Sequence, residues 1–309
     1  MNPFNIDLGR IQHDKNFNAK SFFLDDNENS PYSEMNHNCE YFEVDDFKTK
    51  VNTIPNQFST LSFNVRSLPN KFDAFNNFID ELNSESFKFT VLGIQELWSV
   101  PFNMSIPGYS KLEYKLRNSS EINNNLGGGV GLFIDDNFSY EILEKYSVFI
   151  PNLFESIFVK IEVEKNKFVV VGNLYRPNSG PMANISRFNE ILSDLILKIQ
   201  SDSLIKQSEG IVLLGDTNIN LLRHLDHQET ANYLDILFDN HFLPLIVLPT
   251  RVTHRSATVI DHISTNIKDT FFDTGIILND ISDHFPVFYI RHTKNIKSVK
   301  KVKKNEINK

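Results

Sequence analysis

A single cysteine, Cys39, is all that this chain of 309 residues contains. That excludes an intramolecular disulfide framework and a cysteine-based zinc site, and it suits a reducing compartment. Long apolar runs are missing too. None approaches the roughly 18 residues of a membrane-spanning helix, and Met1 to Arg10 is too polar and acidic for a secretory leader. No internal repeat is visible. Basic charge is also short, with 31 Lys and Arg against 39 Asp and Glu and a net charge of −8. The shortfall is uneven: residues 1–50 hold 10 acidic groups against 5 basic ones, whereas residues 291–309 hold 8 Lys or Arg against 1 Glu. An acidic body opposes non-specific nucleic-acid binding, which is mostly phosphate neutralisation. A bound divalent cation offsets only about two units, so weak intrinsic affinity is expected, with tethering to other domains as the compensation.

What is present is enough apolar material, 40% of the chain, for one large α/β domain. Residues 1–56 are rich in Asn, Asp and Ser without sustained periodicity and are expected to be a disordered extension, with Tyr41, Phe42 and other aromatics docking on the domain. The domain is placed at 57–291, followed by a basic linker or tail at 292–309. Strands are expected at Phe58 to Asn64, Phe87 to Ile94, Gly128 to Ile134, Ser156 to Glu162, Phe168 to Leu174, Ile211 to Leu214, Thr258 to Ile263 and Phe285 to Ile290. Helical periodicity marks Pro69 to Leu82, Ile185 to Ile199 and Glu229 to Phe242. Lys165-Asn166-Lys167 reads as a hairpin turn, so the sheets should be mixed.

Polar clusters sit at the edges of these strands: Gln95-Glu96, Gly215-Asp216-Thr217-Asn218, Ile260-Asp261-His262-Ile263 and Ser282-Asp283-His284. Carboxylates, amides and an imidazole presented from strand ends suit a divalent metal, an attacking water and a phosphate. The residues therefore point to a metal-dependent phosphodiesterase. Glu96 is a metal ligand on this reading, and Asp216 is either the water-activating base or a metal-associated carboxylate. Gly215 permits close backbone approach beside it. Asp261 is expected to fix the tautomer of His284 and favour its imidazolium, with Asp283 completing the metal or water site. Ser282-Asp283-His284 is not a serine-hydrolase triad, because consecutive strand residues point to opposite faces. His224, His227, His241, His254 and His262 fit no metal-ligand spacing and are expected to be core or solvated.

The ordered series Asn64, Gln95-Glu96, Tyr175, Gly215-Asp216-Thr217-Asn218, Asp261 and Ser282-Asp283-His284 resembles the endonuclease/exonuclease/phosphatase superfamily. Asn64-Val65-Arg66-Ser67-Leu68, Leu174-Tyr175-Arg176-Pro177, Pro249-Thr250-Arg251 and Ile260-Asp261-His262-Ile263 most resemble the endonuclease domain of non-LTR, LINE-type retrotransposons. The resemblance implies a deoxyribonuclease I-like four-layer α/β sandwich, two packed mixed sheets flanked by helices. It implies Mg²⁺, or Mn²⁺, as cofactor and DNA as substrate, nicked to leave 3′-OH ends that prime reverse transcription. It assigns Asn64 to the metal shell or to water positioning, Asn218 and Tyr175 to the phosphate, and Arg176, Thr250 and Ser282 to substrate contacts, with Thr253 the rival of Thr250. Arg66 stands where the abasic-site repair branch has an acidic residue, which favours the retrotransposon branch.

A reverse transcriptase domain of the same polyprotein is the partner this resemblance implies, in a nuclear or cytoplasmic setting without a membrane. Two alternatives remain open on the sequence. One is another phosphoesterase of the superfamily, acting on RNA, a phosphoinositide or sphingomyelin. The other is an inactive relic of the domain. Target choice would lie in surface loops at Asn118 to Leu126, Asn178 to Asn184 and His254 to Ala257.

Overall fold

The computed structural model describes residues 39–51, 57–83, 87–101, 104–117, 127–150, 152–178, 183–203, 205–253, 255–268 and 271–292. In chain order its strands are β1 Cys39–Phe42, β2 Ser59–Asn64, β3 Val91–Gln95, β4 Glu113–Lys115, β5 Val130–Ile134, β6 Tyr140–Ile142, β7 Phe149–Ile150 and β8 Phe154–Glu164. They continue with β9 Lys167–Tyr175, β10 Gly210–Asp216, β11 Leu243–Pro244, β12 Arg251–Val252, β13 Ala257–Thr258, β14 Asp261–Thr265, β15 Phe272–Ile277 and β16 Val287–Arg291. The helices are α1 Val44–Lys50, α2 Leu68–Leu82, α3 Ala183–Ser201 and α4 Gln228–Asp239.

Two mixed sheets result. The first runs β1-β15-β16-β2-β3-β5-β4, and the second runs β11-β14-β10-β9-β8-β6 with β7 on β8. The pair β2/β3 is parallel in one sheet and β9/β10 is parallel in the other. Alternation along β2 explains the layering. Leu61 and Phe63 turn outward onto α2, where Phe63 meets Phe75 and Phe78 at 6.2 and 6.3 Å between ring centroids. The buried side of α2 is Leu68, Phe75, Phe78, Ile79 and Leu82, the spacing of an amphipathic helix. On the far side α3 closes the second sheet, with Phe188 stacked on Phe154 at 4.9 Å. Helix, sheet, sheet, helix is thus the order of layers. The sheets touch directly at Gly93, where a Cβ would lie 2.2 Å from Leu214 Cδ1. No helix among the described residues is long and apolar enough to cross a membrane.

Three expectations need correction. Residues 39–51 are ordered rather than disordered: β1 adds a parallel edge to β15, and α1 buries Phe47 against Phe87, Phe89 and Phe288. Four large rings are enough to order so short a segment. Residues 1–38, 52–56 and 293–309 lie outside the described residues, as does the whole of the loop at 118–126 and parts of those at 178–184 and 254–257. The run Thr258 to Ile263 is two short strands, because the amides of Ile260 and Asp261 both bond Thr250 Oγ1 instead of a neighbouring strand. The third strand starts at Val91, since Thr90 is turned into bonds with Ser59 and Gln57. The hairpin falls where expected, with Asn166 at φ 62 between β8 and β9.

Candidate active site

Three polar links join the two sheets at one edge. Beneath the surface, Gln95 at the end of β3 donates to Asn173 Oδ1 of β9 at 2.6 Å and to Ser62 Oγ at 3.1 Å. Asn173 in turn donates to the carbonyls of Ile94 and Gly131. Above it, Asn64 at the end of β2 donates across the seam to Asp216 Oδ2 of β10 at 2.8 Å. The third link pairs His284, just before β16, with Asp261 at the start of β14. Parallel pairing puts Asn64 level with Gln95, and antiparallel pairing puts Asp216 level with Asp261. The folding pattern itself gathers the polar ends.

Glu96 follows β3 and is half-buried. Its Oε1 accepts from the same Asn64 nitrogen, at 2.9 Å, that serves Asp216. Its Oε2 accepts from the indole N–H of Trp98 at 3.2 Å. Asp216 is fully buried and accepts from Asn64 and from both the backbone and the side-chain nitrogen of Asn218. Burial, and then the nearby Asp261 carboxylate, lift its pKa to about 7. Gly215 is needed beside it: at φ 136, a Cβ there would sit 1.8 Å from Leu174 O. Burial alone would depress His284, but the Asp261 carboxylate 3.0 Å from its Nδ1 outweighs it and raises the ring to about 9. His284 is therefore an imidazolium at neutral pH, with Nε2 as its remaining donor.

Asn64, Glu96, Asp216, Asn218, Asp261 and His284 come together at this edge. Tyr175 lies level with Asp216 and is buried. Burial and then the Glu96 and Asp216 carboxylates push its hydroxyl pKa up, so it keeps its proton. The other candidates are engaged by protein groups. Arg176 is 4% exposed and spends its guanidinium on the carbonyls of Thr217 and Asn218, at 2.6 and 2.8 Å, so it braces the loop. Thr250 is fully buried and donates to Asp261 Oδ2 at 2.6 Å, which makes it a positioning residue; Thr253 bonds only within its own turn. Asn218 commits its side-chain nitrogen to Asp216 and Arg176 O.

Asp283, expected in the metal or water site, is claimed by cations. Its Oδ2 accepts from Arg66 Nη1 at 2.8 Å and from Arg251 Nε at 2.9 Å, and Arg251 Nη2 pairs with it at 2.7 Å. Burial opposes ionisation there, but those bonds hold the carboxyl down at about 2. Ser282 Oγ accepts the His284 amide at 3.4 Å, a turn contact. His262 is a core residue bonded to Thr217 and Tyr233, and burial lowers it to about 4. The other histidines form no cluster among the described residues.

Sequence reasoning missed three participants. Trp98, the chain's one tryptophan, is 42% exposed yet held at φ 62 by its N–H on Gly128 O. Glu155 is fully buried and level with Tyr175; it accepts from Arg117 Nε and from Gly129 N. Arg251 is the third. A charged residue opening an apolar strand, Phe154-Glu155-Ser156-Ile157, was the signal available for Glu155.

Asp216, Asp261 and His284 present one ligand atom each within 4.8 Å of one another. Glu96, Asp216 and Asn64, drawn together by the Asn64 amide, make a second candidate cation seat. They offer oxygen donors of the kind Mg²⁺ or Mn²⁺ takes.

The same arrangement of sheets is found in solved structures. The endonuclease domain of TRAS1, a telomere-specific non-LTR retrotransposon, matches with a TM-score of 0.52 over 76% of this chain and 98% of its own, at 14% identity. The chain shares the fold of that endonuclease domain. The 3′ phosphatase NExo from Neisseria, bound to product DNA hairpin, matches with a TM-score of 0.54 over 76% of this chain and all of its own, at 14% identity. D. rerio TDP2 complexed with single-strand DNA product matches with 0.53 over 77% and 99%, at 13% identity. No family model and no curated protein matches the sequence. The likeness to these structures is therefore carried by the sandwich and not by overall sequence.

Proposed function

We propose that this chain is a divalent-cation-dependent phosphodiesterase that nicks DNA, as a retrotransposon endonuclease does. One observation carries the reading: on a single seam, Asn64 joins Glu96 to Asp216 while Asp261 holds an imidazolium, His284, beside them. Glu96, Asp216 and Asn64 would hold the cation. Bound there, Mg²⁺ would supply neutralisation of the leaving oxygen, worth roughly several kcal/mol of barrier.

The chain's own groups supply the rest. Asp216, fully buried and held in place by Asn64 and Asn218, would take a proton from the attacking water. The water oxygen bonds to phosphorus in line, the bond to the 3′ oxygen breaks, and that oxygen takes up a proton from solvent. The products are a 3′-OH and a 5′-phosphate. His284 donates to a non-bridging phosphoryl oxygen as charge builds, within a buried setting where such a bond is strengthened. Thr250 and Asp261 hold that ring, and Arg176 and Asn218 hold Asp216. DNA is the partner on this reading, and a reverse transcriptase domain would use the 3′-OH as primer.

The test is relaxation of supercoiled plasmid with Mg²⁺ and with EDTA, comparing wild type with Asp216→Ala and His284→Ala. Mg²⁺-dependent open circles carrying 3′-OH ends, lost in both variants, support the proposal. Intact DNA alongside cleavage of an RNA, phosphoinositide or sphingomyelin substrate would replace it, and inertness to all of them would mark a relic.

A further inference from the structure

Asp283 collects two N–H bonds from two guanidiniums on one oxygen, with a second Arg251 nitrogen, Nη2, 2.7 Å away. Two positive charges therefore face a single negative one, in a chain whose net charge is −8. Lys71, on the first turn of α2, shares the same field with Asp283, Arg66 and Glu96. The surplus is thus local, cationic and placed at the mouth of the candidate site. Both arginines are wired to it. Arg66 lies two residues beyond Asn64 and bonds the Asn64 Oδ1 with its amide; it sits at φ 47, with Ser67 behind it at φ 79. Non-glycine residues in that region are strained, and such strain persists where the surroundings impose it. Arg251 directly follows Thr250, the anchor of Asp261, and pairs its backbone with His284.

We infer that Arg66 and Arg251 form a clasp for a backbone phosphate next to the scissile one, with Asp283 holding the two forks in place until the phosphate takes over. This rests on the phosphodiesterase reading and names the contacts that recognise its substrate. The side chains are 47% and 33% exposed. Partial exposure weakens an Arg–Asp pair, so a phosphate can exchange for Asp283. Arg66 has one N–H engaged by side chains among the described residues, which leaves its fork open to bidentate phosphate binding. Such a clasp also resolves how an acidic protein meets a polyanion, by concentrating its positive charge where the strand must lie.

The experiment is fluorescence anisotropy of a labelled DNA duplex with the full chain in EDTA, from about 50 to 200 mM salt. Arg66→Ala and Arg251→Ala should each weaken binding about tenfold at low salt and lower the salt slope by about one. Arg→Lys variants should restore the slope but not the full affinity. Asp283→Asn, which removes the competing anion and leaves both arginines, should tighten binding; it carries the test if an alanine variant melts before it can be assayed. If wild type binds and nicks DNA while all these variants match its affinity and slope, the clasp is wrong and the nuclease reading stands. If wild type ignores DNA but holds an RNA oligonucleotide or a phosphoinositide vesicle through the arginines, the DNA reading is wrong and the clasp stands. Arginine-independent binding of DNA, RNA, vesicle and inorganic phosphate alike would overturn the clasp.

Discussion

Asn64 and Asp216 are bonded across the two sheets, amide nitrogen to carboxylate at 2.8 Å, and that nitrogen also serves Glu96 at 2.9 Å. One amide thereby keeps two carboxylates together that would otherwise repel. Asn64→Ala should lower the affinity for Mg²⁺, and nicking with it, about 10–100-fold, as loss of a supporting group at a metal site does. It should also cost about 1–3 kcal/mol, because a fully buried carboxylate loses a donor. Calorimetric Mg²⁺ titration and urea unfolding read the two effects separately. Unchanged cation affinity would show that Glu96 and Asp216 do not share an ion.

The Asp261–His284 pair gives stability a pH dependence. His284 binds its proton more tightly folded, to about 9, than its ordinary 6.5. Its contribution is therefore complete below pH 6.5 and is lost as pH rises through about 9. Asp216, raised from 3.8 to about 7, acts in the same direction over its lower window. The midpoint of urea unfolding, measured from pH 6 to 10 without added metal, should fall across this range, and Asp261→Asn should flatten the part above pH 7. A midpoint that climbs with pH would mean that the ring is neutral in the folded chain.

Legibility followed the range of the forces involved. Strand ends carrying Asn64, Glu96, Asp216, Asp261 and His284 are visible in sequence because a polar group closing an apolar run is a local signal. The edge strand β1 was not visible. Its four residues gain order only by pairing with Thr274 to Ile277, far along the chain, and by resting Phe42 on Phe288. Side-chain roles failed for the same reason. Arg176 next to Tyr175 gives no hint that the loop of Thr217 and Asn218 will close over it, and Asp283 gives none that two arginines will reach it. Asn173, which breaks the apolar run of β9 to bind Gln95, was a readable exception that periodicity passed over.

Trp98 offers a spectroscopic readout of cation binding, since it is the sole tryptophan and its indole N–H bonds Glu96 Oε2 at 3.2 Å. The glycines behind it set this geometry: Leu97 and Trp98 bond the carbonyls of Gly129 and Gly128, and a Cβ on Gly127 would lie 3.7 Å from the indole nitrogen. Titration with Mg²⁺ or Mn²⁺ should change the emission saturably, and Glu96→Gln should abolish the change. Trp98→Phe should weaken Mg²⁺ binding by about tenfold or more when followed by calorimetry. A response that survives Glu96→Gln would move the cation elsewhere.

Arg176 separates a scaffold role from a substrate role. Its side chain is buried, its backbone N–H bonds Asp216 O, and its guanidinium holds Thr217 O and Asn218 O. Burial lowers its pKa, which shows how little water it keeps. Arg176→Ala leaves several buried carbonyls without donors and should destabilise the fold by about 2–4 kcal/mol. Catalysis should then fail through Asp216, whose loop loses its brace, so kcat drops while the salt slope of DNA binding stays at the wild-type value. Arg176→Lys should recover little, because one ammonium cannot reproduce the planar fork. A stable variant with raised KM and a shallower salt slope would instead return Arg176 to the substrate.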